Sequence, residues 1–325
     1  MIYGHDDAVD EFVSAWRSRK MHHAWLLTGP KGVGKATFAW QAARRVLAEA
    51  AGPVPDGDGI DVSDDHRIAH LLKAESHPDF KWLERGMNKT GTALARNISV
   101  DQIRSLGEIF SVTPALSDWR VVVIDSADEL EASAANALLK MLEEPPANCL
   151  FLLVSHVPGR LLPTIRSRCR VLEFQPLGDD VMASALDELA PELSSGKRQA
   201  LIETAQGSVG QALSFAALDL APLRAEALSI MREGDPINAK RSKLSKALAT
   251  KANAERYAAF LELVPTWIAQ EARTLDGDRR LAALDAYAQA RETGRLAPRL
   301  TLDPAVTAFR LGGILASIAP HGARG

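Results

Sequence analysis

One glycine-rich run constrains this chain more than any other feature: Gly29-Pro-Lys-Gly-Val-Gly-Lys35-Ala36, with Thr37 next. A short apolar stretch, Ala24 to Thr28, stands ahead of it, and an alanine-rich segment from Ala36 to Ala50 follows. The order reads strand, loop, helix. Such a loop lets Gly29, Gly32 and Gly34 turn backbone N–H groups around phosphate oxygens, while the helix start adds partial positive charge and Lys35 reaches the outer phosphates. A tight turn would explain the glycines alone but not a lysine at this spacing. The position that should carry a magnesium-ligating hydroxyl is Ala36, so the loop is expected to cradle phosphate and to hold the metal poorly.

Two further apolar runs, Val121 to Ile124 and Leu150 to Val154, lack polar alternation, as central parallel strands covered on both faces do. Between them, Ala134, Ala135, Leu138, Leu139 and Leu142 belong to a helical stretch that Pro145-Pro146 ends. Strand, helix, strand implies a right-handed crossover and an open parallel α/β sheet. Another helix is expected from about residue 100, where Ser99 and Gln102 form a capping box ahead of Ile103, Leu106 and Phe110. Residues 51–65, rich in proline, glycine and aspartate, read as an exposed, mobile loop. Beyond Phe174 the strand signals fade. A hinge is expected near Pro176, followed by helices with breaks around Gly207 to Gly210, Gly234-Asp-Pro236 and Asp276-Gly277.

Asp125 closes the second buried run, where an aspartate beside a phosphate loop helps position the metal. A strand-end turn residue is the plainer reading of it. Its neighbour, commonly a glutamate that polarises the attacking water, is Ser126, which is no general base at neutral pH without an activating partner. Asp128 and Glu129 lie past the strand end and read as helix-start residues.

The 325 residues suggest two domains or three smaller ones at roughly 150 residues per domain. Their 46% apolar and 24% charged composition excludes a disordered or fibrous chain. A net charge of −3 supplies no whole-chain cationic field for nucleic acid, so any DNA contact must be local or shared. Two cysteines, Cys149 and Cys169, cannot make a disulfide framework or a four-cysteine zinc site and read as small buried hydrophobes. His66 and His70 share a helical face, with His77 nearby, but no thiolate or suitable carboxylate joins them, so no metal site is expected. No secretory leader and no apolar stretch near 18 residues is present, so a cytoplasmic protein without membrane insertion is expected.

The combination resembles the AAA+ clamp-loader family. The resemblance rests on His23-Ala-Trp-Leu-Leu-Thr-Gly-Pro, the phosphate loop, Ala134-Ala-Asn-Ala-Leu-Leu-Lys-Met-Leu-Glu-Glu-Pro-Pro146, Phe151-Leu-Leu-Val-Ser155 and Pro163-Thr-Ile-Arg-Ser-Arg-Cys169. It covers residues 1–176 by sequence and the remainder by architecture. It implies a parallel-sheet nucleotide-binding domain over 1–176, a small helical lid over 177–217 and an all-α collar over 218–325 that joins similar subunits in a ring. The partners it implies are ATPase motor and delta-like subunits, with a sliding clamp and primed DNA reached through the assembly.

In that family the arginine of Ser-Arg-Cys points into the neighbouring subunit's nucleotide site, and here it is Arg168. Ser155 matches the first sensor position, whereas His156 reads as a strand-end histidine. Where active motors have an arginine in the lid motif, Gly207-Ser-Val-Gly210 has glycine. Ala36, Ser126 and Gly210 together imply a subunit that does not hydrolyse ATP, with ATP or ADP expected to bind weakly and magnesium to come only with nucleotide; relatives often carry a four-cysteine zinc module, but residues 51–98 contain no cysteine, so no zinc is expected. The competing readings are an ATPase in its own right, with Thr37 or a shifted water replacing the metal ligand, and an inactive scaffold outside replication. A basic cluster, Lys240-Arg-Ser-Lys-Leu-Ser-Lys246 with Lys251, reads as a solvated helix face.

Overall fold

In the computed structural model, which describes residues 2–54, 59–87, 91 and 95–320, the chain divides into two compact units. The first comprises residues 1–193 with 206–211 and the second residues 194–205 with 212–325. The expected collar's last residues, 321–325, and residues 55–58 of the expected loop lie outside the described residues.

The first unit runs α1 (Asp6–Arg17), β1 (Ala24–Thr28), α2 (Lys35–Ala51), α3 (Arg67–Lys73), β2 (Phe80–Leu83), α4 (Val100–Arg104), α5 (Leu106–Ser111), β3 (Arg120–Ile124), α6 (Ala132–Glu143), β4 (Cys149–Ser155), α7 (Pro163–Arg166), β5 (Arg170–Glu173) and α8 (Asp179–Leu189). The five strands form one sheet in the order β2-β3-β4-β1-β5, and every pairing is parallel. This is the α/β sheet of the AAA+ expectation.

Pleating sends alternate side chains to opposite faces, and both are covered. Trp25, Leu27, Val121, Val123, Leu150 and Leu152 pack with Phe12, Phe38 and Leu47 of α1 and α2. Leu26, Val122, Ile124, Phe151 and Leu153 pack with Ile103, Leu138, Leu142 and Ile165 from α4, α6 and α7. The unbroken apolar runs of β1, β3 and β4 follow from that double burial.

The capping box at α4 is complete, Ser99 accepting from the Gln102 N–H and Gln102 accepting from the Ser99 N–H. Residues 59–65 form the loop expected of them, exposed at Gly59, Asp61 and Ser63 to Asp65, but it is pinned at two positions. Ile60 and Val62 are buried, because α2 turns two buried arginines toward them: Arg44 donates to Val62 O and pairs with Asp64, and Arg45 donates to Asp61 O. Polar composition hid two apolar anchors and the cations that hold the backbone between them.

The second unit is helical: α9 (Ser195–Ala205), most of α10 (Val209–Ala217), α11 (Ala221–Glu233), α12 (Ala239–Leu248), α13 (Ala254–Ala272), α14 (Gly277–Leu300) and α15 (Pro304–Ala316). Its breaks at residues 206–208, 234–238 and 273–276 fall at the expected glycine and proline clusters, whereas those at 218–220, 249–253 and 301–303 were not expected. Trp267, Phe260, Leu263 and Ile268 of α13 centre the core, and Ala283, Ala286, Ala290 and Ala297 of α14 belong to it. The helices approach closely at Gly294, where a methyl would lie 2.9 Å from Leu261 O.

Candidate functional site

The carboxyl ends of β1, β3 and β4 meet at one edge of the sheet, the usual place for a ligand crevice in open α/β folds. The register sets Thr28 beside Ser155 and Ile124 beside Leu153. The phosphate loop leaves β1 there, Asp125 leaves β3, and Ser155 ends β4, so the sequence-predicted residues do converge.

Gly29, Gly32 and Gly34 take φ values of 138°, 76° and 118°, which L side chains rarely adopt. Gly29 is also crowded: a methyl there would lie 2.1 Å from Phe174 O. Lys35, the first residue of α2, is 2% exposed and folds back on its own loop, its Nζ donating to Gly29 O at 2.7 Å and Pro30 O at 2.6 Å. Burial pulls its pKa down to about 8 against the attraction of Asp128 and Asp125.

The next carbonyls are bound from outside. Ser208 Oγ donates to Lys31 O (2.9 Å), Gly210 N to Gly32 O (2.9 Å) and His5 Nε2 to Val33 O (2.9 Å). Carbonyls 29 to 33 are thus all hydrogen-bonded, by groups from three separate segments. Gly210, glycine where an arginine was the family expectation, sits so close that a methyl would lie 2.9 Å from Gly32 Cα. Ser208 also accepts from Gln211 N, capping α10.

Ala36 follows Lys35 without a hydroxyl, and Thr37 is exposed. The loop's glycines fit a phosphate group; position 36 does not fit its metal. Asp125 is half-buried, and burial, reinforced by Glu84, pushes its carboxyl above the usual carboxylate range. Ser126 adopts a left-handed conformation, φ 60° and ψ 53°, and its Oγ lies 3.3 Å from His156 Nε2. The His156 pKa is pushed down to about 4 by burial first and then by Lys35, with Asp128 opposing, so the imidazole is neutral at pH 7. Its Nδ1 and the Oγ of fully buried Ser155 have no hydrogen-bond partner.

Asp128 and Glu129 lie on a short 3-10 turn and are engaged elsewhere: Asp128 accepts from His156 N at 2.8 Å and Glu129 pairs with Arg85 at 2.8 Å. Sequence reasoning missed the Ser126–His156 pair. The signal was available, since adjacent parallel strands ending in Asp125-Ser126 and Ser155-His156 bring those ends together.

Arg168 lies outside this crevice. It follows α7, whose Ile165 is buried, and its side chain is 34% exposed. Nη2 pairs with Glu143 at 2.7 Å and Nη1 donates to Thr164 O at 3.0 Å. Its neighbour Arg170 is differently occupied, held by Glu11 at 2.7 Å and lying 4.7 Å from the Trp25 ring centre. In the basic cluster, Lys240 pairs with Glu233, Arg241 with buried Asp235 and Lys243 with Glu226. Among the histidines weighed for zinc, His66 caps α3 through Nδ1 and His77 Nδ1 accepts from Asp79 N.

The family model described as DNA polymerase III, delta subunit, matches residues 4–178, more than half of the chain. The chain belongs to this family. A DNA polymerase III subunit delta' of Pseudomonas aeruginosa is 38% identical over 192 residues, 59% of this chain and 54% of that protein. The Escherichia coli subunit delta' is 32% identical over 209 residues, 63% of this chain and 58% of that protein. The match therefore spans about half the length of these family members. A DNA polymerase III gamma subunit-related protein of Thermotoga maritima superposes with a TM-score of 0.48 at 16% identity, covering 94% of this chain and 99% of that one. Among the described residues, no helix is long and apolar enough to cross a membrane.

Proposed function

We propose that this chain is a non-hydrolysing, delta-prime-like subunit of a DNA polymerase III clamp loader, lending Arg168 in trans to a neighbouring ATPase subunit. One observation carries the reading. The positions that would ligate metal, activate water and sense phosphate hold Ala36, a Ser126 facing a neutral histidine, and a Gly210 packed on the loop, whereas the Arg168 side chain stays partly open to solvent. A planar cation supplied across a subunit seam neutralises charge developing on a transferring phosphoryl group.

In this reading residues 1–176 form the nucleotide-binding-type domain, 177–217 the lid and 218–325 the collar. The partners are ATPase motor subunits and a delta-like subunit in a cytoplasmic hetero-oligomer that places a sliding clamp on primed DNA. ATP or ADP binds weakly: Lys35 must leave two carbonyls and a buried setting to meet a phosphate. Magnesium accompanies nucleotide only, and zinc has no role. Burial holds both thiols protonated, with pKa values pushed up to about 12.

The test is ATP turnover by the isolated chain and by the reconstituted assembly. The isolated chain is expected to be inactive, and Arg168→Ala is expected to lower the neighbour's stimulated hydrolysis by about 10³-fold without loss of assembly. Brisk magnesium-dependent turnover by the chain alone overturns the proposal.

A further inference from the structure

Arg168 is held by two groups that have no part in the phosphate crevice, and one of them stands where a helix does not favour it. Glu143 is the last residue of α6, with Glu144 at the C-cap. Unpaired carbonyls make a helix C-terminus partially negative, so cations belong there and carboxylates do not. Two adjacent glutamates oppose that preference. Glu143 is 44% exposed in its ion pair, and pairs at such exposure add little to stability. A locally unfavourable acid whose bond brings little stability points to a role outside folding.

The geometry supplies that role. Glu143 Oε1 takes Nη2 and Thr164 O takes Nη1, so both terminal nitrogens are fixed and the guanidinium plane has a set orientation while part of the side chain remains open. Thr164 is itself fixed: it belongs to α7, anchored by buried Ile165, and its carbonyl also accepts from Ser167 Oγ. An arginine that must reach across a seam loses much rotamer freedom when it docks. Two anchors on one protomer remove part of that freedom beforehand.

We infer that Glu143 is a positioning residue for Arg168, pre-orienting the guanidinium that serves a neighbour's nucleotide. The inference rests on that reading. It gives the second half of the Leu-Leu-Lys-Met-Leu-Glu-Glu run a function linked to Ser-Arg-Cys, which lies more than twenty residues later in the chain.

The test uses the reconstituted assembly and separates kcat from KM for ATP. Glu143→Ala is expected to lower kcat about tenfold with KM unchanged, as a small misplacement of a catalytic group does. Glu143→Gln, which keeps the acceptor oxygen, is expected to recover most of that loss. Added to Arg168→Ala, Glu143→Ala should have no further effect, because two residues acting as one unit are not additive. An unchanged kcat in Glu143→Ala, beside a large loss in Arg168→Ala, overturns the positioning role and leaves the finger standing. A Glu143→Ala loss that persists in the Arg168→Ala background overturns it as well. No loss in Arg168→Ala removes the finger and this inference together.

Discussion

Two cations sit near the ends of the same sheet and have opposite fates. Lys35 is 2% exposed and bonded to carbonyls of its own loop; Arg168 is 34% exposed and bonded to Glu143 and Thr164. The loop around Lys35 is tied at five consecutive carbonyls by Lys35, Ser208, Gly210 and His5. The segment around Arg168 is a short helix anchored by buried Ile165, with Arg168 itself held by Glu143 and Thr164 O. A phosphate-binding loop normally takes its order partly from the ligand. Here protein groups tie the loop carbonyls, whereas the more exposed cation, Arg168, lies outside the crevice.

If the loop is a joint, damage to it should appear as lost stability. The largest effect is expected for Gly29→Ala, because φ 138° disfavours any side chain and the added methyl would lie 2.1 Å from Phe174 O. A loss of about 3 kcal/mol or more is expected in chemical denaturation. Gly210→Ala comes next, at about 1–3 kcal/mol, since its methyl would lie 2.9 Å from Gly32 Cα and the backbone there has little room to move. A stability change near zero in both variants would show the loop to be loosely held and would break the contrast.

How much of this was legible beforehand follows the range of the contacts. β1, β3 and β4 were readable because burial on both faces leaves a continuous apolar run. β2 was missed: Phe80–Leu83 is an edge strand whose Lys81 is exposed and whose Trp82 is half-buried, so it has no such run. α1 was missed as well. Ala36 and Asp125 could be placed in the crevice from motif spacing and Ser155 from the family resemblance, whereas the ties from His5, Ser208 and Gly210 to carbonyls 31–33 could not. They join positions as much as 178 residues apart in the chain, and no local periodicity encodes them. The pairing of Lys240, Arg241 and Lys243 was hidden at shorter range, because their acids lie on or just after α11, across the turn that precedes α12.

The crevice also predicts a pH response. His156 is held neutral, its pKa lowered from 6.5 to about 4. Above pH 6.5 both folded and unfolded chains carry it uncharged. As pH falls from 6.5 toward 4 the unfolded chain gains a proton that the folded chain refuses, so stability declines across that window. After a discount for partial solvent screening the loss is about 1–2 kcal/mol. His156→Gln should flatten that part of the profile, read as denaturation midpoint against pH; an unchanged slope would place the acid sensitivity elsewhere.

The smallest expected effect is the one that most sharpens the comparison. Arg168→Ala removes a partly exposed ion pair and one bond to Thr164 O, and exposed pairs contribute roughly 0–1 kcal/mol. The variant should therefore unfold within about 1 kcal/mol of the parent chain, with the core around Ile165 undisturbed. A change so small beside the loss expected at Gly29 would mean that the arginine is not retained for the sake of the fold. If Arg168→Ala instead destabilised the chain as much as Gly29→Ala, the guanidinium would be a structural tie between α6 and α7, and the difference between the two cations would be one of exposure alone.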